Sequence, residues 1–396
     1  MILGEPSSMP PAPTGKDIVE RAVVLASTFG GRADAAEQAR RLPAESARDL
    51  LDLGFARILM PARFGGYELD FKTWHDAVLA ISRADASHGW CASLIVHHAH
   101  LVAQFPEECQ QAVWADGPDV AIAASFAPRA QAVRVPGGYR VSGENSSFSS
   151  GVDHSTWVMV GAMLPGEGPP EWVFFMIPPG GYTVRDTWFT ACMRGTGSNT
   201  IVTDNVFVPE TRMLRLTDLR QGRGPGAALY DNPIFRAPFF FYAPLTFAAP
   251  MLGAAQGAYA NFREWTKPRK AVDGSAVAEK TAVQVQMARA AADLDAAGML
   301  LLRTTEIPDM PAEAVPPLLA RSIRDFARVS EMSVAAIDTL MTLSGTAGFA
   351  NSQPIQRAWR DIHFASTHVS LNPEINYGHF GRTEFGLPRD PNRPFF

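Results

Sequence analysis

Three stretches of different periodicity follow one another along the chain, and that order constrains the fold more than any single motif. From about Ile18 to Trp114 apolar residues recur at helical spacing: Leu50, Leu51, Leu53 and Phe55 precede a turn at Pro61 and Gly65-Gly66, and Trp74 to Ile81 forms a second run. From about Val120 to Leu216 the pattern changes to short β-branched and aromatic runs, Tyr139-Arg140-Val141, Trp157 to Val160, Trp172 to Phe175 and Ile201 to Thr203, separated by Gly and Pro turns. From Pro244 helical spacing returns over Leu245 to Lys267, Ala276 to Thr304 and Val315 to Leu343. This order predicts an α+β chain with a helical domain over 16–117, a small β domain over 118–220 and a second helical domain over 221–396.

With 396 residues, 46% of them hydrophobic, the chain can bury a large core. A net charge of −5 provides no basic stripe for a phosphate backbone, which argues against a nucleic-acid partner. No apolar run reaches bilayer-spanning length, so no membrane association is expected. Cys91, Cys109 and Cys192 lack metal-site spacing and are too few for a disulfide framework, which fits a reducing cytoplasm. Met1 to Gly15, rich in Pro and Ser, reads as a loose tail. Phe235, Phe239, Phe240, Phe241 and Tyr242 form an aromatic cluster that fits a core, a subunit interface or the wall of an aromatic pocket.

Three polar segments carry candidate chemistry. Ser87 to His100 lies on a helix where Trp90 is followed seven and eight residues later by His97 and His98, close to two turns, so Trp90 can share a face with either. A buried Trp and His on one face would stack on and hydrogen-bond an aromatic substrate, whereas a metal site is disfavoured because His97 and His98 point about 100° apart. Ala121 to Pro128 opens the β region with Ser125. Ser142 to His154 holds a run of small hydroxyl residues that either forms a plain Ser-rich turn or supplies donors to the ring nitrogens of a planar cofactor.

The order and spacing of these segments resemble the acyl-CoA dehydrogenase superfamily over about Ile18 to Phe385. Pro61-Ala62-Arg63-Phe64-Gly65-Gly66 is similar to its P-x-x-x-G-G turn, and Ser125-Phe126-Ala127-Pro128 and Ser142 to Gly151 to its two flavin-contacting loops. Met193-Arg194-Gly195-Thr196-Gly197-Ser198-Asn199, followed by Val206-Phe207-Val208-Pro209, resembles its late β-domain signature. The resemblance implies an N-terminal helical domain, a central β-barrel-like domain and a C-terminal four-helix bundle, commonly assembled as a homotetramer.

Two departures from the dehydrogenases redirect the chemistry. Past Arg360-Asp361, where the family's proton-abstracting Glu is expected, the chain has His368 and Val369, and Glu374 lies too far along. The family's R-x-Q-F-G element is replaced by Arg269 to Gly274 and its G-G-x-G loop by Ser344 to Gly348. Within the superfamily the chain most resembles the two-component flavin monooxygenases that hydroxylate p-hydroxyphenylacetate and a secosteroid phenol. That resemblance implies reduced FMN or FAD supplied by a separate NAD(P)H:flavin reductase, reaction with O2 to a C4a-hydroperoxyflavin, and hydroxylation of a small phenolic or indolic substrate. It places Ser150, or neighbouring Ser149, near flavin N5, His368 near the flavin's reactive edge, and Phe148, Ser125 and Arg269 among the flavin contacts. It places Trp90, His98 and Ser125 at the substrate, with His98, Ser150 and His368 catalytic. An N- or S-oxygenase of the same fold, an acyl-CoA dehydrogenase and a non-catalytic binding protein are the rival readings.

Overall fold

The computed structural model of the chain describes residues 12–165, 168–309, 315–388 and 390. Of the expected loose tail, residues 1–11 lie outside the described residues, but Thr14 caps the first helix through a reciprocal pair with Asp17. The first zone folds as helices α1 (Gly15–Ala39), α2 (Ala44–Asp52), α3 (Phe71–Ser82), α4 (Ala86–Val102) and α5 (Glu107–Val113). Asp70 and Asp85 start α3 and α4 by accepting the backbone N–H groups of Thr73 and His88. Every residue of α4 except Ile95 is buried, since the helix lies between α3, the sheet and a long C-terminal helix. Such a helix has no solvated face, so its polar side chains must find partners inside the protein.

The central zone contains β1 (Ile122–Val135), β2 (Gly138–Ser146), β3 (Trp157–Leu164), β4 (Glu171–Ile177), β5 (Thr183–Arg185), β6 (Thr200–Pro209) and β7 (Met213–Arg215), in the spatial order β5-β6-β2-β1-β3-β4-β7. The β1–β3 pair is parallel and the other pairs are antiparallel. β1 serves two halves of the sheet: Ile122 to Ser125 pair with β3, and Gln131 to Val135 pair with β2. Its register breaks between Ser125 and Ala130. There the Phe126 carbonyl accepts from Trp172 Nε1 at 3.1 Å. Gly161 allows this bend, because a Cβ at that position would sit 2.3 Å from the Phe126 oxygen.

Adjacent strand residues divide between two cores, as the two-residue period of a strand requires. Ala124, Met159 and Phe174 face the large helical core, while Ala123, Val158 and Phe175 face a smaller one on the other side of the sheet. α6 (Leu216–Arg220) closes the central zone, and the C-terminal zone then supplies α7 (Phe239–Tyr242), α8 (Leu245–Thr266), α9 (Thr281–Arg303), α10 (Val315–Ser344), α11 (Pro354–Ser366) and α12 (Pro373–Glu384). α8, α9 and α11 all pack against α10, and α8 also reaches back to α3 and α4. α9 starts five residues later than the Ala276 expected from sequence, because Lys270 and Ala276 form a β-bridge and a 3-10 turn follows at Val277–Glu279.

Candidate active site

Two loops of the β zone are fastened together beside α4. The Ser149 and Gly151 backbone N–H groups donate to the Asn199 and Thr196 carbonyls, at 3.2 and 2.8 Å. Their side chains continue the seam: Trp90 Nε1 on α4 donates to Ser150 Oγ at 3.1 Å, Ser150 Oγ lies 2.7 Å from Ser198 Oγ, and Ser198 Oγ lies 2.7 Å from Thr196 Oγ1. Thr196 Oγ1 in turn donates to the Met193 carbonyl at 2.8 Å. Ser150 is half-buried, whereas Ser198 and Thr196 are buried. Ser149 has a different place from Ser150: its buried hydroxyl donates to Ser146 O at 3.1 Å and closes the turn from within. Phe148 is exposed, has a left-handed backbone (φ 63°) and stands edge-on to Trp188.

Trp90 does not share its surroundings with the histidines that follow it on α4. Its ring meets Phe247 and His368, with centroids 5.0 and 6.2 Å away. His368, between α11 and α12, stacks on Phe247 at 3.6 Å and accepts the Ser370 N–H at Nδ1. The ring is half-buried, and desolvation brings its pKa down to about 4. Nearby, the buried Asp361 of α11 accepts the Met193 N–H at 2.5 Å. Burial pushes that carboxyl up to about 7 against the opposing pull of this hydrogen bond.

His98 points instead to the sheet. Its Nδ1 donates to the Ile122 carbonyl at 2.6 Å, which leaves Nε2 as the lone-pair acceptor, buried and without a partner in the protein. Burial lowers its pKa to about 4, against the pull of the Ile122 hydrogen bond, so the ring is neutral at ordinary pH. Phe126 lies 6.1 Å away, centroid to centroid, and Ser125 on the same strand donates its hydroxyl to Ser147 O at 3.0 Å. The expected aromatic cluster is buried core beside the neighbouring histidines: Phe239 and Tyr242 meet His97, and Phe235 and Tyr242 meet His100. His97 Nδ1 is 3.0 Å from Thr246 Oγ1, and its Nε2 is also buried without a partner.

The remaining sequence candidates lie apart from this group. His88 is buried between Asp85 and Ser46, stacked on Phe29, and serves the packing of α1, α2 and α4. Arg269 rests on Trp265 with its guanidinium carbon 3.8 Å from the ring centroid and donates to Ser344 O, while its buried Nη1 has no partner. Trp265, half-buried against the helical core, forms the platform under Arg269. Among the described residues no group of three or more His, Cys, Asp or Glu side chains is arranged to hold a metal ion.

Comparison with known proteins agrees with this architecture. Residues 21–117 match the acyl-CoA dehydrogenase N-terminal domain, and residues 245–373 match the acyl-CoA dehydrogenase C-terminal domain. Over 365 residues the chain is 38% identical to HsaA, the oxygenase subunit of a flavin-dependent monooxygenase of Mycobacterium tuberculosis, covering 90% of this chain and 92% of that one. The chain belongs to the flavin-dependent monooxygenase oxygenase components built on the acyl-CoA dehydrogenase fold. It is also 34% identical to the oxygenase component of an FADH2-dependent resorcinol hydroxylase of Rhizobium sp., covering 93% and 94% of the two chains. The structure of XiaF from Streptomyces sp. in complex with FADH2 and glycerol superposes with a TM-score of 0.88 at 30% identity, covering 94% of this chain and 96% of that one.

Some neighbours of the candidate residues carried no chemical signal in the oxygenase sequence. Phe247 lies inside an apolar helical run, and its stacking on His368 needs the fold to appear. Thr196 and Ser198 belong to a segment legible as a family signature, but Ser198 lies 48 residues from Ser150 and nothing local connects them.

Proposed function

We propose that the oxygenase hydroxylates a small phenolic or indolic ring, using O2 and reduced FMN or FAD delivered by a separate NAD(P)H:flavin reductase. The carrying observation is His98, a neutral buried imidazole with an unpartnered Nε2 among aromatic rings. A phenol donating its O–H to that nitrogen satisfies a buried acceptor and gains electron density on its ring, which eases attack by an electrophilic oxygen. Indole N–H makes the same bond.

The residues fit a reduced flavin. Ser150 presents a half-buried hydroxyl to N5, and His368 on its Phe247 platform offers a neutral ring at the reactive edge. Phe148 and Ser125 would border the ring, and the unpartnered Arg269 Nη1 would suit a phosphate oxygen. When bound, the flavin supplies the activation of dioxygen. His98 would orient the substrate by accepting its O–H or N–H hydrogen bond, Ser150 would accept the N5 hydrogen, and the buried aromatic side chains nearby would keep water away. A homotetramer in a reducing cytoplasm fits this reading. The three cysteines are free, and among the described residues no helix is long and apolar enough to cross a membrane.

The test mixes the protein with reduced FMN or FAD in oxygenated buffer and screens phenols, indoles and amines for products. Hydroxylated phenol or indole supports the proposal. Oxidation confined to amines or sulfur compounds overturns it.

A further inference from the structure

The direction of every hydrogen bond in the Trp90–Ser150–Ser198–Thr196 chain is set by its two ends. The Trp90 indole N–H can only donate and the Met193 carbonyl can only accept. Two oxygens 2.8 Å apart need a proton between them, so the Thr196 hydroxyl donates to Met193 O. Thr196 has then spent its proton, and Ser198, at 2.7 Å, must donate to it. By the same step Ser150 donates to Ser198 across 2.7 Å and accepts from Trp90. Ser150, the half-buried member of the chain, is left with one free lone pair and no free proton.

We propose that Ser198 and Thr196 are positioning residues that hold the Ser150 hydroxyl as a pure acceptor, so that the site selects reduced over oxidised flavin. This rests on the reading that Ser150 faces flavin N5. A reduced flavin carries a hydrogen on N5 and donates to the free lone pair of Ser150. An oxidised flavin has only a lone pair at N5, which meets the Ser150 lone pair and is disfavoured. The reductase product is therefore retained, and the spent flavin is released for the next turnover. Asp361 anchors the far end by holding the Met193 N–H.

The experiment measures dissociation constants for oxidised flavin by fluorescence quenching and for reduced flavin anaerobically, in the wild type and in Ser198→Ala, Thr196→Val, Thr196→Ser and Ser150→Ala. In the wild type reduced flavin binds more tightly. Ser198→Ala and Thr196→Val free the Ser150 proton to turn toward N5, and the ratio of the two affinities falls by about tenfold. Thr196→Ser keeps the hydroxyl and keeps the ratio, and Ser150→Ala lowers it. If Ser150→Ala lowers the ratio while Ser198→Ala and Thr196→Val do not, the relay is wrong and the placement of Ser150 stands. An unchanged ratio in Ser150→Ala overturns both. Equal weakening of both flavin forms in Ser198→Ala and Thr196→Val assigns these residues a merely structural role and also overturns the proposal.

Discussion

At the scale of single residues, the site depends on polar atoms that burial has made selective. His98 cannot take a proton until the pH nears 4, so it remains an acceptor throughout the neutral range. Substrate hydroxylation should therefore show no acid limb from His98 between about pH 5 and pH 8, which a pH profile of coupled turnover checks. His98→Ala should lower hydroxylation about a hundredfold while reduced flavin is still consumed, with hydrogen peroxide replacing product. Unimpaired hydroxylation in that variant would make the histidine structural. Asp361 makes a separate pH prediction. Its folded pKa of about 7 lies above its ordinary 3.8, so its contribution to stability is complete at low pH and is lost as the pH rises to about 7. Asp361→Asn keeps an oxygen for the Met193 N–H and removes the ionisation. The variant should gain up to roughly 4 kcal/mol over the wild type at pH 8 in urea unfolding, and the gain should fade toward pH 4.

At the scale of elements, the helices and strands were legible because their periodicities are local, whereas their meeting points were not. The run Leu245 to Lys267 announced α8 almost to its ends, and the strand runs all fall within strands. Ser149 and Ser150 could not be separated from sequence, because which hydroxyl closes the turn depends on the Met193 to Asn199 loop packed against it. Helical spacing allows Trp90 to pair with either histidine, but Phe247 and His368 draw its ring one way while Ile122 on β1 draws His98 another. The α3–α4 crossing that sets these directions requires Gly89, where an added Cβ would lie 1.8 Å from Ser82 Oγ and 2.7 Å from its Cβ. Gly89→Ala should cost about 1–3 kcal/mol and reduce flavin binding through displacement of Trp90, as thermal unfolding and a flavin titration would show. Full retention of both would mean that the crossing tolerates the methyl group by shifting Ser82.

At the scale of the whole molecule, α11 couples regions far apart in sequence. Arg357 pairs with Asp34 and Glu37 on α1 and with Asp85 at the start of α4. Arg360 pairs with Glu37 and donates to the Ala191 carbonyl in the connection between β5 and β6. Arg357 and Asp85 line a small cleft together with Arg83 and Asp361. Burial alone would raise the Asp85 carboxyl, but the His88 hydrogen bond and the Arg357 charge hold it below its ordinary 3.8. With a depressed folded pKa, Asp85 contributes stability above about pH 4 and loses it as the pH falls through that lower value, the opposite sense to Asp361. Removing Arg357 leaves the buried Asp85 charge supported mainly by His88. Arg357→Ala should therefore cost about 2–4 kcal/mol near neutrality and move acid unfolding to higher pH. Arg357→Lys should recover only part of that loss, since an ammonium group cannot reach three carboxylates with a planar fork. Urea unfolding followed across pH decides the matter: an unshifted acid transition in Arg357→Ala would show that His88 alone keeps Asp85 ionised, and the coupling through α11 would then be packing rather than charge.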